Sequence, residues 1–175
     1  MRLPFRREKV PADVRSSLDL RPGERVIAAD LDESGAHLIA TDRALHLVPA
    51  VDADQAPAPA IRLRWDLVDL ATWNPPVLLL EVRPSADDPV ERLVVALEAR
   101  SGLPAVVRDR VTGSIVVNER HEAGTGWFRI LARRNYDSGS LEWRVQPGPG
   151  LDPRDPVVAA SITSHLQRIR GQWEV

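Results

Sequence analysis

The residues able to do chemistry are few and scattered along the chain. The four histidines are His37, His46, His121 and His165. None has another at i, i+4, so no helical histidine pair is available to hold a metal. His121 with Glu119 and Glu122 forms the one local metal-like cluster. On a strand Glu119 and His121 share a face and Glu122 points away, which leaves two ligands, too few for a stable site. Asp66 and Asp69 are close enough in sequence to suggest a carboxylate pair for acid–base work. Bracketed by turn chemistry in a bent strand, they read as hydrogen-bonding residues. His165 lies beside an apolar helical stripe and reads as a packing or capping residue. No P-loop, GxGxxG, HExxH, EF-hand or GxSxG pattern occurs. Serine and threonine nucleophiles depend on spatial partners, and nothing here points to one. No metal or cofactor is expected.

Trp127, Arg129 and Arg133 form the most suggestive surface, with Arg144 on a neighbouring strand. An aromatic among arginines can stack on a base or ring, or anchor a protein interface. The competing reading makes Trp127 core and the arginines its solvated rim.

Composition narrows the field. The chain has 175 residues, enough for one ordinary domain or a domain with a small annex. A net charge of −2 supplies no global attraction to nucleic acid or anionic membrane. Acidic residues interleaved with the arginines of the strands argue further against nucleic acid. The absence of cysteine removes disulfides, thiol catalysis and cysteine-ligated zinc, and fits a reducing cytoplasm. One lysine, Lys9, stands against 22 arginines, a bias of base composition more than of function. Arg2, Arg6, Arg7 and Lys9 are followed by no apolar stretch of targeting type, so they read as a solvated terminus. The longest apolar run, at 77–80, is far short of the ~20 residues that span a bilayer.

The elements that must position these residues follow from period and punctuation. A short helix is expected at 11–18, with Val14 and Leu18 on one face, ended by Arg21-Pro22-Gly23. Strands are expected at 24–31 and 36–41 across the turn Asp32-Glu33-Ser34-Gly35, and at 44–48 after a tight Asp42-Arg43 turn. Residues 49–60, with three prolines, read as an exposed loop. A long strand covers 61–73. Ile61, Leu63 and Trp65 alternate with Arg62, Arg64 and Asp66, giving one buried and one wet face. The alternation slips at 66–69, which predicts a bulge or bend near Asp66. Return strands follow at 77–83, apolar enough to be covered on both faces, and at 90–98, separated by a turn at 85–89. The period then changes. Leu103, Val106, Val107 and Val111 define a helix over 103–112. Three strands at 114–122, 127–135 and 140–146 follow. A final helix is capped by Asp155, with Pro156 first and an apolar stripe of Val158, Ile162, Leu166, Ile169 and Trp173.

The stretch Thr41-Asp42-Arg43-Ala44-Leu45-His46-Leu47, followed after a loop by Ile61-Arg62-Leu63-Arg64-Trp65-Asp66-Leu67-Val68-Asp69-Leu70, resembles the PH-like superfamily, in particular bacterial PH and GRAM-like domains. The chain as a whole is similar to actinobacterial PH-like proteins of uncharacterised role. The resemblance covers about residues 24–112. It implies a mainly β (α+β) fold, an antiparallel PH-like barrel or sandwich of about six to nine strands, with a mid-chain helix and a docked C-terminal amphipathic helix. The family's usual order is seven strands and then a helix; the sequence counts six before residues 103–112. Phosphoinositide-binding members carry basic residues between the first two strands. Here that loop, 30–35, is acidic.

The expected organisation is an N-terminal arm and short helix at 1–23, a PH-like β unit with its helix at 24–112, and a meander with the last helix at 113–175, packed as one domain. The expected function is a non-catalytic cytoplasmic binding or scaffold domain for protein–protein contact, self-association included. Two alternatives stand beside it: a small enzyme with a loop-assembled site, and a lipid or membrane-surface reader, which the acidic loop disfavours.

Overall fold

The computed structural model describes residues 10–50, 59–83 and 88–173. The expectations for Arg2, Arg6, Arg7 and Lys9, for most of the 49–60 loop and for the 85–89 turn fall wholly or largely outside them. The described chain is mainly β, with ten strands in three antiparallel sheets. It divides into two units, Met1–Ser114 with Asn135–Ser140, and Ile115–Arg134 with Leu141–Val175.

In the first unit, helix α1 (Ala12–Ser17) precedes a four-stranded sheet ordered β1 (Val26–Leu31), β2 (His37–Thr41), β3 (Ala44–Val48) and β4 (Ile61–Arg64). A single 3-10 turn, Trp65–Leu67, then breaks the long strand. The chain continues as β5 (Val68–Asn74), β6 (Val77–Val82) and β7 (Glu91–Ala96), a three-stranded sheet in that order. The corner expected near Asp66 is therefore a helical turn, and a register shift between Val68 and Leu70 adds a bulge just after it. Splitting the long strand raises the count before helix α2 (Leu103–Gly113) from six to seven.

The strand ladders do not close into a barrel. The turn at Trp65–Leu67 interrupts the pairing between the sheets, and β1 meets β7 through one isolated bridge, Asp32 to Leu97.

The core of this unit is built by alternation. Leu38, Ala40 and Leu45 turn one face of the first sheet inward to meet Trp65, Val68, Leu78, Leu80, Val82, Val95 and the buried stripe of α2. Trp65 is fully buried and donates its indole N–H to the Thr41 carbonyl at 3.1 Å, as a buried indole requires. Three expectations are overturned. The face carrying Ile39, His46 and Arg62 is not wet, because Leu18 and the partly buried Val14 and Leu20 cover Ile39 and Val48. Ile61, expected inside, is 52% exposed. On β6 only Leu78, Leu80 and Val82 are buried, while Val77 is open. A three-stranded sheet with its helix on one side needs only one apolar face.

In the second unit, β8 (Ile115–Ala123), β9 (Gly126–Arg134) and β10 (Leu141–Pro147) form a meander in the order β10-β9-β8. Phe128, Ile130, Ala132 and Val117 pack with Val158 and Ile169 of helix α3 (Pro156–Trp173), and Ile162 and Leu166 join them. The Asp155 carboxylate accepts the N–H groups of Val157 at 2.9 Å and Val158 at 3.2 Å, the cap that the sequence predicts. The stripe stops short at Trp173, which is 46% exposed and not docked as expected.

Candidate functional site

A groove of about 350 Å3 runs along the first unit, lined by Ala71, Thr72 and Trp73 of β5, Leu78 of β6, and Ser101, Pro104, Ala105 and Arg108 at the start of α2. Its geometry follows from local sequence. The α2 stripe of Leu103, Val106, Val107 and Val111 is buried, so the helix presents Ala105 and Arg108, three residues apart, on its exposed flank. Ala105 is small and leaves space. Ser101 fixes the helix entry, since its hydroxyl donates to Asp30 and accepts the Leu103 N–H at 3.2 Å. Among the described residues β5 is outermost in its sheet and pairs with β6 alone, so one row of its backbone donors and acceptors lies outside the described ladder. Trp73 is partly buried and Leu78, its cross-strand partner, is fully buried below it. The groove therefore offers an apolar floor, an unpaired strand edge and a cation at the rim. Among the described residues Arg108 has no hydrogen bond or ion pair. Nothing in the sequence pointed to this groove. Its signals are a small residue and an arginine on the wet flank of α2, which become meaningful only beside an edge strand.

The densest set of charged groups is a closed cluster in the same unit. His46 and Arg62 are cross-strand neighbours on β3 and β4. The Glu24 side chain is fully buried between them, 3.2 Å from His46 Nε2 and accepting from Arg62 Nη2 at 3.0 Å. It also accepts from the Thr41 hydroxyl at 2.5 Å and the Arg21 N–H at 2.9 Å. Arg62 in turn donates to both oxygens of Asp137, at 2.7 and 2.9 Å, a bidentate fork. Burial pushes the Glu24 carboxyl up, yet the Thr41, Arg21, His46 and Arg62 hydrogen bonds outweigh it and hold the group at about 2. Burial pushes the His46 imidazole down, against the pull of Glu24. Burial opposes the charge on Arg62, but Asp137 and Glu24 more than restore it, and Arg62 lowers Asp137 in return. Thr41 and His46 have no exposed surface. The cluster ties Asp137 of the 135–140 segment to the first sheet.

The other sequence candidates disperse. Asp66 is buried and paired with Arg64 at 2.9 Å, whereas Asp69 meets Arg83 at 3.0 Å. Held by different arginines, the two carboxylates are not an acid–base pair. His121 and Glu119 do come together on β8, and His165 joins them from α3. No group of three or more residues among those described could hold a metal ion.

Of the surface patch, Trp127 and Arg129 are half-buried and Arg133 is only 4% exposed. Arg133, with its neighbour-strand companion Arg144 at 8%, is therefore not a rim arginine on an open face. The Trp127 ring is already engaged. The Arg120 guanidinium sits 4.5 Å from its centroid and that of Arg129 5.9 Å. The backbone of Gly148 lies so close that a Cβ there would meet Trp127 Cε2 at 2.6 Å. The stacking expected with an outside ring is supplied within the chain.

No helix among the described residues is long and apolar enough to cross a membrane. No protein-family model, no curated protein and no solved structure matches this chain.

Proposed function

We propose that this chain is a non-catalytic, PH-like binding module of the cytoplasm, and that it takes an extended protein segment into the groove between β5 and α2. The observation that carries the reading is a groove bordered by an unpaired strand edge. An incoming strand would satisfy the free β5 backbone while its side chains meet Trp73 and Arg108, the physics of strand addition. The PH-like part of the reading is supported by the order of elements: four antiparallel strands, a second antiparallel set of three, and then α2. Against catalysis, the strongest perturbed titratable group, Glu24, is sealed in the closed cluster, and the groove holds one charged group, Arg108. Against a lipid head group, the β1–β2 turn carries Asp30, Asp32 and Glu33. The Asp32 carboxylate builds that turn by accepting the N–H groups of Ser34 and Ala36.

Selection of unstructured peptides against the full chain tests this. Bound peptides are expected to perturb the amide resonances of residues 71–73 and 105–108. Ala105→Trp, a change at an exposed helix position, fills the groove. It is expected to weaken binding by more than about tenfold, ~1.4 kcal/mol, with the melting temperature unchanged. Peptide binding that ignores both segments, or that survives Ala105→Trp, would rule the groove out.

A further inference from the structure

Two imidazoles meet where α3 seats on the second sheet. His121 of β8 and His165 of α3 have ring centroids 4.3 Å apart, tilted by 41°. Phe128 of β9 closes the cluster, with its ring 5.5 Å from His121 and 5.7 Å from His165. The His165 Nδ1 lies 2.8 Å from the Ser161 carbonyl. A carbonyl only accepts, so Nδ1 carries the proton in the neutral ring, and Nε2 is the position left to be charged. His121 Nε2 comes within 3.3 Å of Glu119 Oε2 but makes no aligned hydrogen bond. The same carboxylate oxygen lies 3.6 Å from Arg168 of α3.

The charges facing the pair can be counted. Among the described residues, Glu119 on β8 is the anion and Arg168 on α3 the cation at the pair, while β9 contributes the uncharged Phe128. At neutral pH these two balance. Charging one imidazole leaves an excess of +1, and charging both leaves +2, with the two new charges on opposite sides of the helix–sheet seam. The ring that both imidazoles touch, Phe128, belongs to an apolar cluster with Val117, Ile130, Ile162 and Leu166, which offers no counter-charge. We propose that the His121–His165 pair makes the seating of α3 proton-sensitive: acidification charges both sides of the seam and loosens the helix from the β8–β10 meander. In keeping with this geometry, burial and the neighbouring His165 and Arg168 charges push the His121 imidazole down, against Glu119. A group depressed in the folded state contributes stability above its ordinary pKa and loses it as pH falls below that value.

The test uses the full chain and a local readout, because His46 in the first unit is also buried and acid-sensitive. Amide hydrogen exchange, corrected for its intrinsic pH dependence, is compared at pH 7.5 and 5. Residues 158–169 are expected to lose more than about tenfold protection relative to β5 and β6, which carry no histidine, and His165→Gln is expected to abolish that relative loss. An unchanged ratio in the wild-type chain, or the same loss in His165→Gln, would overturn the proposal. Imidazole titration of the wild-type chain decides independently of any variant. A His121 step displaced below the ordinary imidazole range supports it, and a His121 step at its ordinary value refutes it.

Discussion

The first unit buries a connected set of acids and bases, whereas the acid and base that meet where α3 seats on the second unit stay at the margin of its core, although Arg133 and Arg144 are buried elsewhere in that unit. Glu24, with no exposed side-chain surface, and Arg62, at 12%, form a connected set with Asp137 inside the first unit. In the second, Glu119 and Arg168 are 41% and 51% exposed where they meet, and Arg170 only shields the ring of Trp143 at 5.5 Å. The residue types are the same and the depths differ. Depth decides the energetics: removing one partner of a buried set strands the others, whereas exposed pairs contribute little beyond screening. The first unit is thus held in one arrangement by polar groups as well as by packing. In the second, α3 seats on the sheet through an apolar seam, which is why a pair of histidines there has leverage.

Three substitutions probe that difference. The largest effect is expected from Trp65→Ala, which empties the centre of the first core and frees the Thr41 carbonyl. Chemical denaturation should register a loss of about 3–5 kcal/mol. A loss no larger than that of a surface tryptophan would mean that this core is not the keystone of its unit.

Glu24→Gln comes next. The carboxyl stands at about 2 in the folded chain against an ordinary 4.5, a difference of about 3 kcal/mol. Because the folded value is depressed, this stability is present above pH 4.5 and is lost as pH falls toward 2. The variant is expected to be weaker by that amount at neutral pH and to lack this acid-dependent limb. A stability–pH curve parallel to the wild type would remove Glu24 as the organiser of the cluster.

The smallest effect is expected from Trp173→Ala. At 46% exposure and outside the α3 core contacts, it should cost less than about 1 kcal/mol. A cost comparable to Trp65→Ala would show the second unit to be anchored at the very end of its helix.

Much of the framework was legible in the sequence. The Asp155 cap, the four inner residues of the α3 stripe and the α2 stripe stand where their spacing placed them. The slip in alternation near Asp66 marked a true corner. The errors have a common form. Arg62 was placed on a wet face because arginine beside apolar residues looks solvated, yet its partner, Asp137, lies 75 positions away. Arg133 was read as part of the rim around Trp127, whereas it is buried, and the nearest companions of the half-buried Trp127 come from outside its own strand. Arg120 reaches it from β8, and Gly148 approaches it from beyond β10.

The sequence by itself determined where the elements lie, which side of most of them is apolar, and that no motif for a known chemistry is present. Those properties are local, set by period, caps and turn residues within a few positions. Tertiary structure alone decided that Glu24, His46, Arg62 and Asp137 meet, that the flank of α2 and strand β5 border one groove, and that His121 touches His165. Such meetings depend on which strands pair and in what register. A charged side chain changes from solvated rim to buried partner when a distant residue closes over it, and nothing in its own neighbourhood announces that.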